Sequence, residues 1–257
     1  MGKRQVPTKP DYIKWLLLLG VAALVVLLGI YVGRRYILPH SVNVDRYRYP
    51  IAGIDVSKHN GDIDFNQVRD DNYQFVYIKA SEGKTFQDTA FARNYDGARK
   101  AGLKVGAYHF FRKNRTGQEQ ADNLLAVVKG RPLDLPLVID LEDDWGNGVT
   151  TGKDVTMERL LDMLSILKNE GYQVMIYTNN DGYKKYYKDM LGDCDLWLCS
   201  FTSPDLLDQP HRFQQYSHEG KVNGVDGKVD LNVFRGSKRE WDSYLEQVKQ
   251  PDNISPQ

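Results

Sequence analysis

The chain has no excess of either charge: 34 Lys and Arg stand against 34 Asp and Glu in 257 residues. A nucleic-acid binder normally presents a strongly basic face, and nothing here implies one. Cysteine is scarce, with only Cys194 and Cys199 present. In an extended segment their Cα atoms would stand roughly 16 Å apart, beyond disulfide reach, so two separate thiols are expected. There is no CxxC pair and no HExxH, which removes the usual signs of structural zinc and of a zincin; no metal and no cofactor are expected. Internal repeats and low-complexity segments are also missing. Hydrophobic residues at 41% and charged residues at 26% are ordinary for a globular protein and exclude a disordered chain. A mean hydropathy of -0.52 excludes a multi-pass membrane protein.

One long hydrophobic run is present. Trp15 to Val32 (WLLLLGVAALVVLLGIYV) holds eighteen residues without a charge. At 1.5 Å per residue it would span about 27 Å, enough for a bilayer core. Polar residues at a 3.6-residue period, expected of a buried core helix, are lacking. The run is longer than a secretory h-region, and GRRYILPH follows it without a small-residue cleavage site. The expectation is an uncleaved signal anchor over 15–32 behind a cytoplasmic tail over 1–14. A polar, Tyr-rich linker over 33–50 then leads into one domain. Basic residues flank the run on both sides, so charge alone does not orient it. Near the end, QPDNISPQ reads as a tail carrying a glycosylation sequon at Asn253.

From Ile51 short apolar runs alternate with helical stretches. Strands are expected at 51–57, 75–81, 104–111, 135–142, 173–179, 195–201, 212–217 and 229–234. Between several of them AFARNYDGARKAG, GQEQADNLLAVVKG and MERLLDMLSILKNEG carry apolar residues at helical spacing and end in Gly. Strand and helix in alternation predict a parallel sheet. Eight strands predict an α/β fold, an irregular TIM-like (β/α) barrel over 51–236, with the irregularity among the last three strands. A C-terminal helix and tail would occupy 237–257. Asp55, Ser81, Glu82, His109, Asp140, Glu142, Tyr177 and Asn179 fall at or just past strand C-termini, the face on which barrel enzymes place their sites.

Asp140 and Glu142 in VIDLED lie two apart on a strand, so both side chains point to one face. Paired carboxyls suit glycoside hydrolysis, where one donates a proton and the other aligns or stabilises the positive centre. A lone DxE also occurs on solvated loops, which is the reading given to Asp143 and Asp144. The LPLVI run before this pair makes it an interior strand instead. Asp55 in GIDVSKHNG and Asp230 in GKVDLNVF are single acids inside apolar runs, where an unpaired charge is costly unless a neighbouring Lys or Arg satisfies it.

In order, GIDVSKHNGDIDF, FVYIKASEG, GLKVGAYHFF, LPLVIDLE, YTN and VDLNVF resemble the glycoside hydrolase family 25 lysozymes over about residues 51–235. The resemblance implies an irregular α/β barrel. It also implies hydrolysis of the β-1,4 bond between N-acetylmuramic acid and N-acetylglucosamine, with peptidoglycan glycan strands as partner. Carried over residue by residue, it makes Glu142 the general acid and Asp140 the carboxylate that orients or stabilises the 2-acetamido group. Asp55 and Asp230 match the two remaining acidic positions. Tyr108, His109 and Tyr177 match blocks that line the groove, with Asn179 beside them in YTN. Lys79 and Glu82 fit IKASEG, either at the groove or as a structural ion pair. Trp197 would stack on a sugar or pack in the core.

Three routes stay open at this stage: attack by the sugar's own acetamido oxygen, by a carboxylate, or by an activated water. A glycan-binding barrel without catalysis and a glycosidase of chitin-like polymers are the competing functions. The Gly-rich segment DDWGNGVTTGKD leaves the subsites undefined. Because peptidoglycan lies outside the cytoplasmic membrane, the expected placement is single-pass, with the domain in the periplasm or cell envelope.

Overall fold

The computed structural model describes residues 12–32, 41–142, 151–189 and 194–248. Asp143 and Asp144, most of the Gly-rich segment after them, and the sequon at Asn253 lie outside the described residues, as do 1–11 and 33–40. The chain divides into two units, Met1–Pro39 and His40–Gln257. In the first, helix α1 runs over Tyr12–Val32. Side chains within α1 are described for Tyr12 and residues 14–29, and among the described residues no helix is long and apolar enough to cross a membrane.

The second unit is a mixed α/β domain around an eight-stranded barrel. Its strands are β1 (Ala52–Val56), β2 (Phe75–Glu82), β4 (Lys104–Phe110), β5 (Leu137–Asp140), β6 (Val174–Asn179), β7 (Asp195–Cys199), β8 (Phe213–Gly220) and β9 (Val229–Phe234). They follow the order β1-β9-β8-β7-β6-β5-β4-β2, and β1 pairs back onto β2 to close the ring. A two-residue strand, β3 (Phe86–Gln87), hangs antiparallel on the end of β2.

The expected all-parallel sheet fails at one strand. β9 runs antiparallel to both β8 and β1. Its connection, residues 221–228, is shorter than the dozen or more residues that a parallel crossover needs, so the chain can only turn back.

Helices α2 (Phe65–Asp70), α3 (Phe91–Ala101), α4 (Gly117–Val128), α5 (Lys153–Asn169) and α6 (Asn180–Lys185) follow successive strands. Their starts and stops are chemically marked. The Thr116 hydroxyl and Glu119 carboxylate close a capping box on α4, and α3 stops where Gly102 adopts φ 84°.

Strand alternation sorts the side chains into two cores. Outward residues such as Ile54, Val76, Ile78, Val105, Ala107, Ile139 and Ile176 pack with the helices. Inward residues such as Phe75, Tyr77, Val138, Met175, Trp197, Phe213 and Phe234 fill the barrel. Helix α7 (Lys238–Gln247) caps the N-terminal mouth with Trp241 and Tyr244; the Trp241 ring lies 5.6 Å from Phe75 and 5.1 Å from Phe234. The barrel is therefore closed at one end and can open only at the other.

Part of the expected linker belongs to the barrel. Val42 donates its N–H to the Tyr216 carbonyl at 3.0 Å, and Val42 and Val44 pack on Tyr49, Ala52, Tyr216 and Val233. The Tyr49 hydroxyl reaches Asp205 Oδ1 at 2.7 Å. Apolar residues at alternate positions give 41–50 a face to bury, which the polar composition of 33–50 conceals.

Two glycines make room for the aromatic interior. Register places Gly53 beside Phe75 and Gly106 beside Tyr77. A Cβ on Gly53 would lie 2.3 Å from the Phe75 ring, and one on Gly106 would lie 2.1 Å from the Tyr77 ring. Both rings thus lie across a neighbouring strand that has no side chain there. Gly106→Ala should destabilise the domain by about 1–3 kcal/mol through overpacking, read as a lower urea midpoint at unchanged slope. An unchanged midpoint would show that the Tyr77 ring can move aside.

Candidate active site

At the open mouth, inward-facing residues near the strand ends converge on a cleft of ≈ 210 Å³. Asp55 comes from β1, Tyr108 and Phe110 from β4, Asp140 from β5 and Glu142 from just beyond it. Tyr177 comes from β6, Trp197 from β7, Gln215 and His218 from β8, and Asp230 from β9. Asp55 and Asp230 are direct register partners across β1 and β9. A larger, open hollow of ≈ 700 Å³ lies elsewhere, against α2, α3 and the β8–β9 connection. Its acids, Asp62, Asp64 and Asp226, are exposed, and Asp64 is occupied in capping α2.

A buried hydrogen-bond network fixes the floor of the cleft. The Tyr177 hydroxyl donates to Gln215 Oε1 at 2.7 Å, and Gln215 Nε2 donates to Asp55 Oδ2 at 2.9 Å. From the other side Trp197 Nε1 donates to Asn232 Oδ1 at 2.9 Å, and Asn232 Nδ2 donates to the same Asp55 oxygen at 2.7 Å. Two amide side chains, each held by an aromatic donor, therefore point their N–H groups at one carboxylate. Trp197 also stacks on Tyr77 at 4.7 Å and meets Tyr177 edge-on at 4.8 Å, so it serves both core and cleft.

The carboxylates disturb one another. Burial first, and then the charge of Asp230, raise Asp55 to about 7 against the opposing hydrogen bonds from Asn232 and Gln215. Burial and then the neighbouring Glu142 hold Asp140 well above the usual carboxylate range. Asp140 Oδ1 is buried and has no hydrogen-bond donor among the described residues. Glu142 is raised as well, chiefly by burial and further by Asp230, with His218, Lys79 and Lys113 acting the other way. Asp140 and Glu142 thus titrate as a pair that favours keeping a proton.

Four expected groove residues stand outside the cleft lining. His109 follows the inward Tyr108 and so faces outward; Ser81 Oγ lies 2.8 Å from its Nδ1 and Gln120 Oε1 lies 3.2 Å from its Nε2. Gln120 Oε1 can only accept, so Nε2 carries the proton and Nδ1 accepts from Ser81. Burial lowers His109 to about 4, leaving it a neutral bolt between β2, β4 and α4. Asn179 caps α6, accepting from the N–H groups of Asp181 at 3.1 Å and Gly182 at 2.9 Å. Lys79 and Glu82 form an ion pair at 2.6 Å that Arg112 extends. Burial alone would push Glu82 up, but Lys79 and Arg112 outweigh it and hold its carboxyl below the usual range. The Lys79 ammonium lies 5.1 Å from the Phe110 ring, one step behind the cleft wall.

Phe110, Gln215, His218 and Asn232 join the site without having been expected there. Period-two alternation from Tyr108 and Asp230 would have found Phe110 and Asn232. His218 carries no such signal, because an irregularity in β8 intervenes. Both cysteines are free thiols. Among the described residues no group of three or more His, Cys, Asp or Glu is arranged to hold a metal ion.

Comparison with known proteins gives a consistent result. The model of the glycosyl hydrolases family 25 matches residues 54–225. The chain is 35% identical to the autolytic lysozyme of Clostridium acetobutylicum over 185 residues, which covers 72% of this chain and 56% of that protein. It therefore spans little more than half the length of that relative. A family 25 glycosyl hydrolase structure from Bacillus anthracis superposes with a TM-score of 0.71 at 36% identity, covering 80% of this chain and 97% of that one. The bacterial lysozyme structure from Streptomyces coelicolor does so at 0.69 and 30%, covering 76% and 96%.

The raised pKa of Asp55 makes stability depend on pH. A carboxyl whose folded pKa exceeds its unfolded value binds its proton more tightly when folded, so its ionisation penalises the fold. The penalty is absent below about 4, grows as pH rises and is complete above about 7. Asp55→Asn keeps a carbonyl to accept from Gln215 and Asn232 and should raise Tm at pH 8, by roughly 2–4 °C for each kcal/mol relieved. At pH 4 the two proteins should melt together. Equal gains at both pH values would mean that the carboxylate is not the strained group.

Proposed function

The chain belongs to the glycosyl hydrolases of family 25, and on that premise we propose that it is a lysozyme-type peptidoglycan hydrolase. Its bond would be the β-1,4 link between N-acetylmuramic acid and N-acetylglucosamine. The observation that carries this reading is the gathering of Asp55, Asp140, Glu142 and Asp230 with Tyr108, Tyr177 and Trp197 around one cleft. Aromatic walls offer stacking surface to sugar rings, and the acids supply proton transfer and charge stabilisation.

Within that reading Glu142 is the general acid. It stands at the mouth, half-buried, and burial favours its protonated form. Asp140 lies deeper on the same face, its Oδ1 without a donor among the described residues, and a 2-acetamido N–H would provide one. Held there, the acetamido oxygen can bond to the anomeric carbon as the glycosidic C–O bond breaks and Glu142 gives its proton to the leaving oxygen. Water then opens the cyclic intermediate, losing its proton to the Glu142 carboxylate. Asp55 and Asp230 face the same centre and would stabilise its positive charge.

The apolar run Trp15–Val32 supports a further reading, that this segment of the sequence anchors the chain in the cytoplasmic membrane with the barrel outside the cytoplasm. Peptidoglycan would then be reached from a tethered position.

Glu142→Gln should cut the release of muramic-acid reducing ends from purified sacculi by about 10²-fold or more, with circular dichroism and Tm retained. Turnover near wild type would remove Glu142 from the acid role, and preferential cleavage of chitin oligomers would reassign the substrate. In cells, the full chain should stay in the membrane fraction through alkaline carbonate while protease added to spheroplasts digests the barrel. Extraction by carbonate would dispose of the anchor.

A further inference from the structure

We propose that His218 is a positioning residue for this site: an imidazolium that clamps Asp230 and serves as the counter-ion of the carboxylate cleft. The inference rests on the glycoside hydrolase reading above and adds a residue that the resemblance did not bring. Its first support is backbone geometry. Gln215 pairs with Asn232 and Ser217 with Leu231, so β8 carries one residue more than β9 across this step. Such a bulge inverts the alternation beyond it. Gln215 already points inward, and regular pairing would send residue 218 outward into the layer that holds Tyr216. With the extra residue, His218 turns into the cleft opposite Asp230.

The second support is the set of partners. His218 Nδ1 lies 3.0 Å from Asp230 Oδ1, and its Nε2 lies 3.8 Å from Cys199 Sγ. The Phe201 ring meets the imidazole edge-on at 4.9 Å. His218 is the only basic side chain among the described residues lining the cleft, which holds four carboxyls. Asp230 on β9, Cys199 on β7, Glu142 beyond β5 and Asp55 on β1 are the titratable groups that act on it or feel its charge. Lys79 and Lys113 act on Glu142 as well, but from other elements. Burial disfavours the imidazolium, yet the hydrogen bond to Asp230 and the contact with Cys199 outweigh it and raise the pKa.

Cys199, His218 and Asp230 in line would also read as nucleophile, base and orienting acid. Cys199 is only 9% exposed and does not line the cleft, so no substrate atom reaches its sulfur. The relay runs toward the carboxylate instead. Asp55 and Asp230 are register partners on the paired strands β1 and β9, and the charge of Asp230 raises Asp55. A donor on Asp230 Oδ1 fixes that side chain and lowers the electrostatic cost of ionising its neighbours.

The test uses the full-length protein. Removing the positive charge with His218→Gln should move both limbs of the pH profile of kcat/KM upward by about 1 unit, because every neighbouring acid loses a stabilising charge. His218→Lys, which restores the charge, should return the limbs toward wild type. A loss of packing alone would lower the curve without moving its limbs, and that result would overturn the proposal. In histidine-labelled protein the His218 ring should titrate well above 6.5, and its midpoint should fall in Asp230→Asn. A midpoint near 6.5 in the wild type would overturn the proposal even if His218→Gln did not fold. If wild-type protein releases no muramic-acid ends, the hydrolase reading fails, and the ring titration alone then decides whether the clamp exists.

Discussion

One oxygen atom organises the open end of this barrel. Asp55 Oδ2 accepts from Gln215 and Asn232, and those amides are themselves oriented by Tyr177 and Trp197. The five residues come from β1, β8, β9, β6 and β7, so a single acceptor ties together most of the ring. An amide has both a donor and an acceptor end, and each aromatic donor selects which end faces the carboxylate. Rotating Asn232 would oppose donor to donor at Trp197, and rotating Gln215 would set its carbonyl oxygen against the Asp55 carboxylate. The network therefore has one satisfied arrangement, which gives the cleft a rigid floor.

That rigidity has an electrostatic cost that the rest of the domain must carry. Desolvated carboxyls that repel one another are unfavourable in a closed fold, and they persist because the layers beneath are densely packed. Phe75, Phe213 and Phe234 meet Trp241 and Tyr244 at the closed end, and Tyr77 stacks on Trp197 in the middle. Glycines at 53 and 106 let these rings cross to neighbouring strands. Stability is concentrated at the closed end and chemistry at the open one, as expected where loops and strand C-termini form the site.

Much of this was legible in the sequence. Each of the eight apolar runs coincides with a barrel strand, because each is bounded by Gly, polar or helical segments and is long enough for one crossing of the ring. The DxE spacing put Asp140 and Glu142 on one face correctly, since period two holds over two residues. The same rule, applied to its neighbours, would have separated Tyr108 from His109, whose adjacent side chains cannot both face the interior. Asn179 caps α6 and stands outside the cleft lining, since a residue at a strand end is also a helix N-cap and Asn suits both tasks. The antiparallel β9 was concealed because strand patterns carry no direction; only the short 221–228 connection bears on it.

What composition and periodicity could not reveal is register. His218 faces Asp230 only because β8 gains a residue on β9 between Gln215 and Ser217, and no residue type in QQYSHEG announces the extra position. One inserted residue exchanges the two faces of everything beyond it. Upstream of that step, Gln215 belongs to the network that builds the floor; downstream, His218 belongs to the charges above it. The bulge thus lets one strand supply a neutral donor to Asp55 and a cationic donor to Asp230, two carboxyls that face each other directly across β1 and β9. A regular strand could not present both 215 and 218 to the interior, so the irregularity is what allows two adjacent acids to be satisfied from one side.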